Sequence, residues 1–129
     1  MVGIDTNVLV RFLAQDDPDQ TRRAIELIEG TRVRVSLTVL LETEWVLRRT
    51  LRMRSITVFR LLRAFAGLPN VVVEDAGRLG QSLDLADLGM DFADALHLTA
   101  TEADQRFATF DFDLIRLARR TGAAEAFAP

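Results

Sequence analysis

Four carboxylates in this chain follow a predicted strand or stand in the first turns of a predicted helix. They are Asp5 after the apolar start, Glu42 after the second strand, Asp94 early in a later helix, and Asp111 after the fourth strand. The carboxyl ends of parallel strands meet at one edge of a sheet, so these side chains can converge although they are far apart in sequence. Carboxylates packed together repel one another unless cations neutralise them. Oxygen ligands of this kind suit Mg²⁺ or Mn²⁺ rather than Zn²⁺, so the pattern predicts a site for a hard cation.

Simpler interpretations exist for some of the acidic residues. Asp5 is equally well placed to cap the helix that follows it, and Asp91 stands where the N-cap of its helix is expected. Asp113 suits either a metal ligand or a helix cap. Glu44 lies about 200° round the helix from Glu42, so at most one of the two can face the site.

The amino-acid composition excludes several kinds of catalysis. The chain has no cysteine or tyrosine, all sixteen of its basic residues are arginine, and its only histidine is His97. Thiol nucleophiles, zinc–thiolate centres, P-loop lysines and Schiff-base lysines are therefore impossible. A lone histidine indicates packing or a hydrogen bond rather than metal ligation, so carboxylates remain as the main catalytic groups.

The charge is unevenly distributed. The net charge is −3, but residues 45–73 contain six arginines and no acid, which leaves −9 on the remainder. A solvated helix face explains such a window, and so does a surface that contacts phosphates beside an acidic metal site. The candidates for RNA contacts in this window are Arg48, Arg49, Arg52 and Arg54.

Strands and helices alternate along the chain, which predicts an α/β protein with a central, mostly parallel sheet of four or five strands. Strands are predicted at residues 1–4, 33–36, 71–73 and 106–110, with an edge strand at 124–127. One helix is predicted to start in the turn at residues 16–19, with Pro18 at its first helical position, and to show helical periodicity over residues 21–29. The other helices are predicted at residues 7–13, 39–52, 56–66 with Ser55 as cap, 75–88, 91–103 and 114–120.

The length and hydropathy favour one domain spanning residues 1–129. With 129 residues, 49% of them hydrophobic, the chain has enough apolar material for one core. No apolar run approaches a membrane span and no signal peptide is recognisable, so we expect a cytoplasmic protein with no membrane partner.

Four motifs resemble those of a known family. They are Gly3-Ile4-Asp5-Thr6-Asn7-Val8-Leu9, Leu41-Glu42-Thr43-Glu44-Trp45-Val46-Leu47, Asp91-Phe92-Ala93-Asp94-Ala95-Leu96-His97, and Thr109-Phe110-Asp111-Phe112-Asp113. Together they resemble the acidic motifs of PIN domains, and more narrowly those of VapC-type toxins of toxin–antitoxin pairs. The resemblance implies a Rossmann-like α/β/α sandwich and a Mg²⁺- or Mn²⁺-dependent endoribonuclease, usually a homodimer that is silenced by a cognate antitoxin.

The resemblance also assigns roles to individual residues. It implies a catalytic and metal-binding tetrad, with polar support around it, and leaves open whether Asp111 or Asp113 is the fourth acid. The tetrad is Asp5, Glu42, Asp94 and Asp111, and the supporting residues are Thr6, Asn7 and Thr109. The implied reaction is hydrolysis of an RNA phosphodiester by water that the metal activates, leaving a 5′-phosphate and a 3′-hydroxyl.

Two other functions compete with the nuclease. A phosphatase of the haloacid-dehalogenase kind also has an aspartate after its first strand, but it has a second aspartate where this chain has Asn7, and it needs a lysine. A non-catalytic module that binds protein or RNA through the arginine window is the other alternative, in which the acids are structural.

Overall fold

The computed structural model describes residues 1–129, with seven α-helices, one π-helical segment and five short strands. The strands are β1 (Val2–Gly3), β2 (Val33–Val35), β3 (Val71–Val73), β4 (Arg106–Ala108) and β5 (Glu125–Phe127). The helices are α1 (Thr6–Ala14), α2 (Pro18–Gly30), α3 (Leu37–Trp45), the π-helical segment (Val46–Thr50), α4 (Ser55–Ala66), α5 (Ala76–Asp87), α6 (Phe92–Thr99) and α7 (Phe112–Thr121). None of these helices combines the length and the apolar character needed to cross a membrane.

The chain forms two compact units, Met1–Ala76 and Gly77–Pro129. The first unit contains a parallel sheet in the order β1-β2-β3, in which Val33 is paired with Val2 on one side and with Val71 on the other. Val33 and Val35 of the central strand are fully buried and Arg34 between them is exposed. This alternation is the one expected of a strand with one face on the core.

Helices of the first unit bury one face each. Leu9 and Val10 of α1 and Ile28 of α2 are buried, and so are Leu62 and Phe65 of α4. The α2 helix begins with Pro18, as predicted, and the carboxylate of its N-cap, Asp17, accepts the backbone N–H of Gln20. Proline at this position removes an N–H that would have no helical partner, so the start of α2 is fixed locally.

The second unit pairs β4 with β5 in parallel. Its core is contributed by α5, α6, α7, β5 and the connection between α5 and α6, and it consists of Leu85, Met90, Ala95, Leu98, Leu114, Ile115, Ala118 and Ala126. Gly89 joins α5 to α6 with φ of +105°, a backbone conformation that favours glycine.

The predicted fold class is confirmed, with differences in detail. The five parallel strands are hydrogen-bonded as a sheet of three and a sheet of two, where the sequence predicted one sheet of four or five. A strand of two or three residues forms few hydrogen bonds with its neighbours. The sequence pattern predicts where such short strands lie but not which of them pair.

Three helix boundaries differ from the predictions. The helix predicted over residues 39–52 changes to π geometry at Val46, where the N–H of Leu51 bonds to the Val46 carbonyl, and Arg52 then adopts a left-handed conformation. The helix predicted over residues 91–103 ends at Thr99, because the next backbone bonds reach back three residues instead of four. The predicted cap at Ser55 is wrong: Ser55 is already helical, and α4 begins without a side-chain cap.

Candidate functional site

Asp5 lies where β1 runs into α1. Its backbone is extended, with φ of −96° and ψ of 179°, and its Oδ1 accepts the N–H of Val8 at 3.1 Å. The capping interpretation of Asp5 is therefore confirmed, and the residue also follows the first strand as the sequence predicted. The cap uses Oδ1, so it leaves Oδ2 outside this hydrogen bond.

A side-chain hydrogen bond joins the first two acidic motifs. The hydroxyl of Thr6, which is 8% exposed, donates to Oε1 of Glu42 in α3. The two residues are 36 positions apart, and α3 brings Glu42 to the start of α1 because Ser36 caps it immediately after β2. The bond orients the Glu42 carboxylate beside the residue that follows Asp5.

Glu44 faces a different environment from Glu42. It is 2% exposed, and its Oε1 accepts from Nε of Arg48 at 2.7 Å, whereas Glu42 is exposed. Only one of the two glutamates was expected to face the site, and this arrangement agrees with that expectation. Arg48 is consequently engaged with a buried carboxylate, which makes it a poor candidate for an RNA contact.

The other three arginine candidates, Arg49, Arg52 and Arg54, are exposed. Arg52 has φ of +57°, and Arg54 precedes α4 with an extended backbone. These three guanidinium groups therefore lie on the surface of the first unit, where a phosphate can reach them.

A groove of about 400 Å³ runs between α1 and α2 and begins at Asp5. Asn7, Arg11 and Arg23 line it together with apolar side chains from both helices. Arg11 is hydrogen-bonded to Gln20 at 2.7 Å and paired with Asp16 at 3.2 Å. Neither arginine was among the site residues predicted from the sequence, although the spacing of four residues places Asn7 and Arg11 on one face of α1.

In the second unit, Asp94 lies in the first turn of α6. Its backbone N–H donates to Asp91 at 3.3 Å, which confirms Asp91 as the N-cap of that helix. The pKa of Asp94 is raised, first by burial, then by the charge of Asp91 and then by that of Asp111, while His97 lowers it. The negative charge of Asp111, in the fourth acidic motif, therefore acts on Asp94.

Asp111 caps α7 and is itself held by Thr109. Its Oδ1 accepts the backbone N–H groups of Asp113 at 3.0 Å and of Leu114 at 3.1 Å, and its own N–H donates to the Thr109 hydroxyl at 3.0 Å. Asp113 is exposed and forms an ion pair with Arg116. The charge of Asp111 contributes to the raised pKa of Asp94, whereas Asp113 is paired with Arg116.

The four acids are divided between the two units, with Asp5 and Glu42 in the first and Asp94 and Asp111 in the second. Neither unit by itself contains a group of three or more histidine, aspartate and glutamate side chains that could hold a metal ion. The convergence of all four acids therefore stays a prediction.

These features define an α/β protein with parallel strands whose acidic side chains follow strands and cap helices. The PIN domain family model matches residues 2–120, and the chain belongs to that family. PIN domains have a Rossmann-like α/β/α fold, are in general nucleases and typically use divalent metal ions. No curated protein matches the chain. The family match removes the case for a haloacid-dehalogenase phosphatase.

Proposed function

We propose that this protein is a divalent-metal-dependent endoribonuclease and the toxin of a toxin–antitoxin pair. The observation that carries the proposal is that all four acidic positions, Asp5, Glu42, Asp94 and Asp111, lie within the range matched by the PIN domain. A family member that keeps every acid of the tetrad keeps the groups that its chemistry requires.

The donor set fits a hard cation. The side chains in question offer only carboxylate, hydroxyl and amide oxygens, which is the ligand chemistry of Mg²⁺ and Mn²⁺. Asp5, Glu42, Asp94 and Asp111 would hold the ion, with Asp113 as the alternative fourth ligand. When bound, the cation supplies positive charge that acidifies a water and offsets the charge of the phosphate.

The remaining polar residues position these carboxylates. Thr6 donates to Glu42 and so fixes which of its oxygens is turned toward α1. Thr109 accepts the backbone N–H of Asp111 and holds the turn from which that carboxylate projects. Asn7 lies next to Asp5 in the groove between α1 and α2 and would contact the substrate or water there.

RNA would be bound along exposed arginines. Arg49, Arg52 and Arg54 would contact phosphates, which sets affinity and position without reading the sequence. Arg48 is left out of this set because it is paired with the buried Glu44. The proposed partners are the RNA substrate, a cognate antitoxin and a second copy of the chain in a homodimer, and the proposed location is the cytoplasm.

Cleavage of a labelled total-RNA pool by purified protein tests the activity. The pool is incubated with Mg²⁺, with Mn²⁺ or with EDTA, using the parent protein, Asp5→Asn, Asp94→Asn and the control Asp104→Asn. Asp104 is an exposed loop aspartate outside the four motifs, so its variant matches the charge change. We expect discrete products that need metal, and a loss of at least about a hundredfold in the two tetrad variants but not in the control.

Two results would count against the proposal. Cleavage that survives in pure Asp5→Asn and Asp94→Asn would exclude the acidic site as its source. A folded parent protein that binds metal but cuts no RNA would favour the non-catalytic alternative. Growth arrest on induced expression that Asp94→Asn relieves is the result expected of a toxin, and light scattering of the purified protein measures the proposed dimer.

A further inference from the structure

Two of the eight phenylalanines of this chain are turned to solvent. Phe110 is 77% exposed and Phe112 is 68% exposed, whereas the other six phenylalanines are buried or half-buried. Leaving a phenylalanine in water forfeits the burial free energy that such a side chain supplies to a core. Neither ring supports the fold in this structure.

The two phenylalanines flank Asp111 in the sequence. Phe110 ends the stretch after β4, Phe112 is the first residue of α7, and the carboxylate between them caps that helix through two backbone N–H groups. The Cα atoms of the two phenylalanines lie no more than about 7 Å apart, since two peptide units separate them. The cap and the Thr109 hydrogen bond therefore fix the backbone from which two exposed aromatic side chains project, one residue before and one residue after Asp111.

We propose that Phe110 and Phe112 stack on unpaired bases of the substrate on either side of the phosphate bound near Asp111. The inference rests on the proposed ribonuclease function and adds how the substrate is recognised. Aromatic side chains stack on any base through its π-face, but only where the base is not already paired and stacked in a helix. The site therefore selects single-stranded RNA without selecting a sequence at these two positions.

The arginines of α7 favour RNA over an apolar protein partner. The acids Asp111 and Asp113 stand next to the two phenylalanines in the chain, but Arg116 and Arg119 follow Phe112 by four and seven residues and so lie on its face of α7, with Arg116 paired with Asp113. Exposed aromatic and guanidinium groups on one surface are the combination by which proteins bind single-stranded nucleic acid. Phe110, Phe112, Arg119 and Arg120 form what we term the stacking surface.

Binding of single-stranded RNA to a non-cleaving parent tests the inference. The parent is Asp5→Asn, and the probes are a fluorescein-labelled random-sequence 12-mer RNA, the same length of RNA duplex, and a 12-mer with 2-aminopurine at every third base. Anisotropy measures affinity, and quenching of 2-aminopurine reports stacking directly. The variants are Phe110→Leu, Phe112→Leu and the corresponding tyrosine substitutions, and Leu88→Ala is the control because Leu88 is 58% exposed in the same unit.

Leucine keeps an apolar side chain and removes the π-face, whereas tyrosine keeps both. We expect each leucine variant to bind single-stranded RNA about fivefold to a hundredfold more weakly and to lose quenching. The tyrosine variants and Leu88→Ala should stay within about twofold of the parent, and duplex RNA should bind weakly to all of them. The slope of affinity against salt should be unchanged in the leucine variants, since no phosphate contact is lost.

The inference is overturned if the leucine variants bind as the parent does, or if the parent causes no quenching. It is also overturned if the leucine variants lose dimerisation in light scattering, because the rings would then form a protein interface. In each of these cases, RNA cleavage by the wild-type protein would still support the proposed function. If the wild-type protein neither binds nor cleaves RNA, the proposed function and this inference fail together.

Discussion

Removing Arg48 should destabilise the protein far more than removing its neighbour Arg49. The Glu44 side chain is 3% exposed and its Oε1 lies 2.7 Å from Nε of Arg48, whose side chain is 23% exposed. Arg48→Ala leaves that carboxylate in the interior without this cation. Arg49 is exposed, so Arg49→Ala makes the same chemical change on the surface and serves as the control.

The size of the effect follows from the burial of Glu44. Leaving one member of a buried ion pair uncompensated costs about 3 to 5 kcal/mol. Water that reaches the vacated arginine position reduces this cost, so we expect Arg48→Ala to lose about 3 kcal/mol of unfolding free energy, or roughly 10 °C in Tm.

Urea unfolding followed by circular dichroism measures this difference. The double variant Glu44→Gln/Arg48→Ala should recover about half of the loss, since a neutral amide is less costly to bury than a charge. Arg49→Ala should unfold within about 0.5 kcal/mol of the wild type.

Equal unfolding midpoints for Arg48→Ala and Arg49→Ala would refute the reasoning. They would mean that Glu44 finds another partner or reaches solvent once Arg48 is gone. The same two variants also distinguish an effect on stability from an effect on RNA binding. Arg49→Ala should keep the stability but lower the salt slope of RNA binding by about one, as expected for a lost phosphate contact.

Three further predictions concern stability and pH. The Thr43 hydroxyl is buried and has no hydrogen-bond partner, so Thr43→Val should raise the unfolding free energy by about 1 kcal/mol in urea titration; a loss would indicate a hidden partner. The raised pKa of Asp94 means that the native state keeps this proton to higher pH than the unfolded chain, so the stability from this residue is lost as pH rises through the raised value. In EDTA, Asp94→Asn should therefore unfold later than the wild type at pH 7, by less than about 1 kcal/mol, with no difference near pH 3; earlier unfolding at pH 7 would contradict this sign. Gly89 has φ of +105°, so Gly89→Ala should lose about 1 to 2 kcal/mol in thermal unfolding, whereas Gly3→Ala, which meets no neighbouring atom at its Cβ position, should change little.

Much of the fold was readable from the sequence because it is encoded locally. The start of α2 at Pro18 and the cap of α6 by Asp91 depend on side chains that act within three residues of their own position. The α/β class follows from apolar runs alternating with helical periodicity, and the family match agrees with it. Strand pairing and the π-helical segment were not readable, because backbone bonding there depends on which segments pack together.

In the candidate site, too, some features follow from the local sequence and others only from the tertiary structure. The sequence identified the acids and placed them after strands and at helix starts, because those positions are set by local pattern. The Thr6–Glu42 hydrogen bond and the field of Asp111 at Asp94 connect residues that are far apart along the chain. No local pattern could have supplied these connections.

By itself, the sequence determined the class of fold, the acidic chemistry and the exclusion of lysine and cysteine catalysis, since these depend only on which residues are present and at what spacing. Only the tertiary structure decided that Arg48 is paired with a buried glutamate while Arg49 is exposed, and that two phenylalanines of eight face solvent. Burial is a property of three-dimensional packing, so residues of the same type and nearly the same position in the sequence acquire different roles.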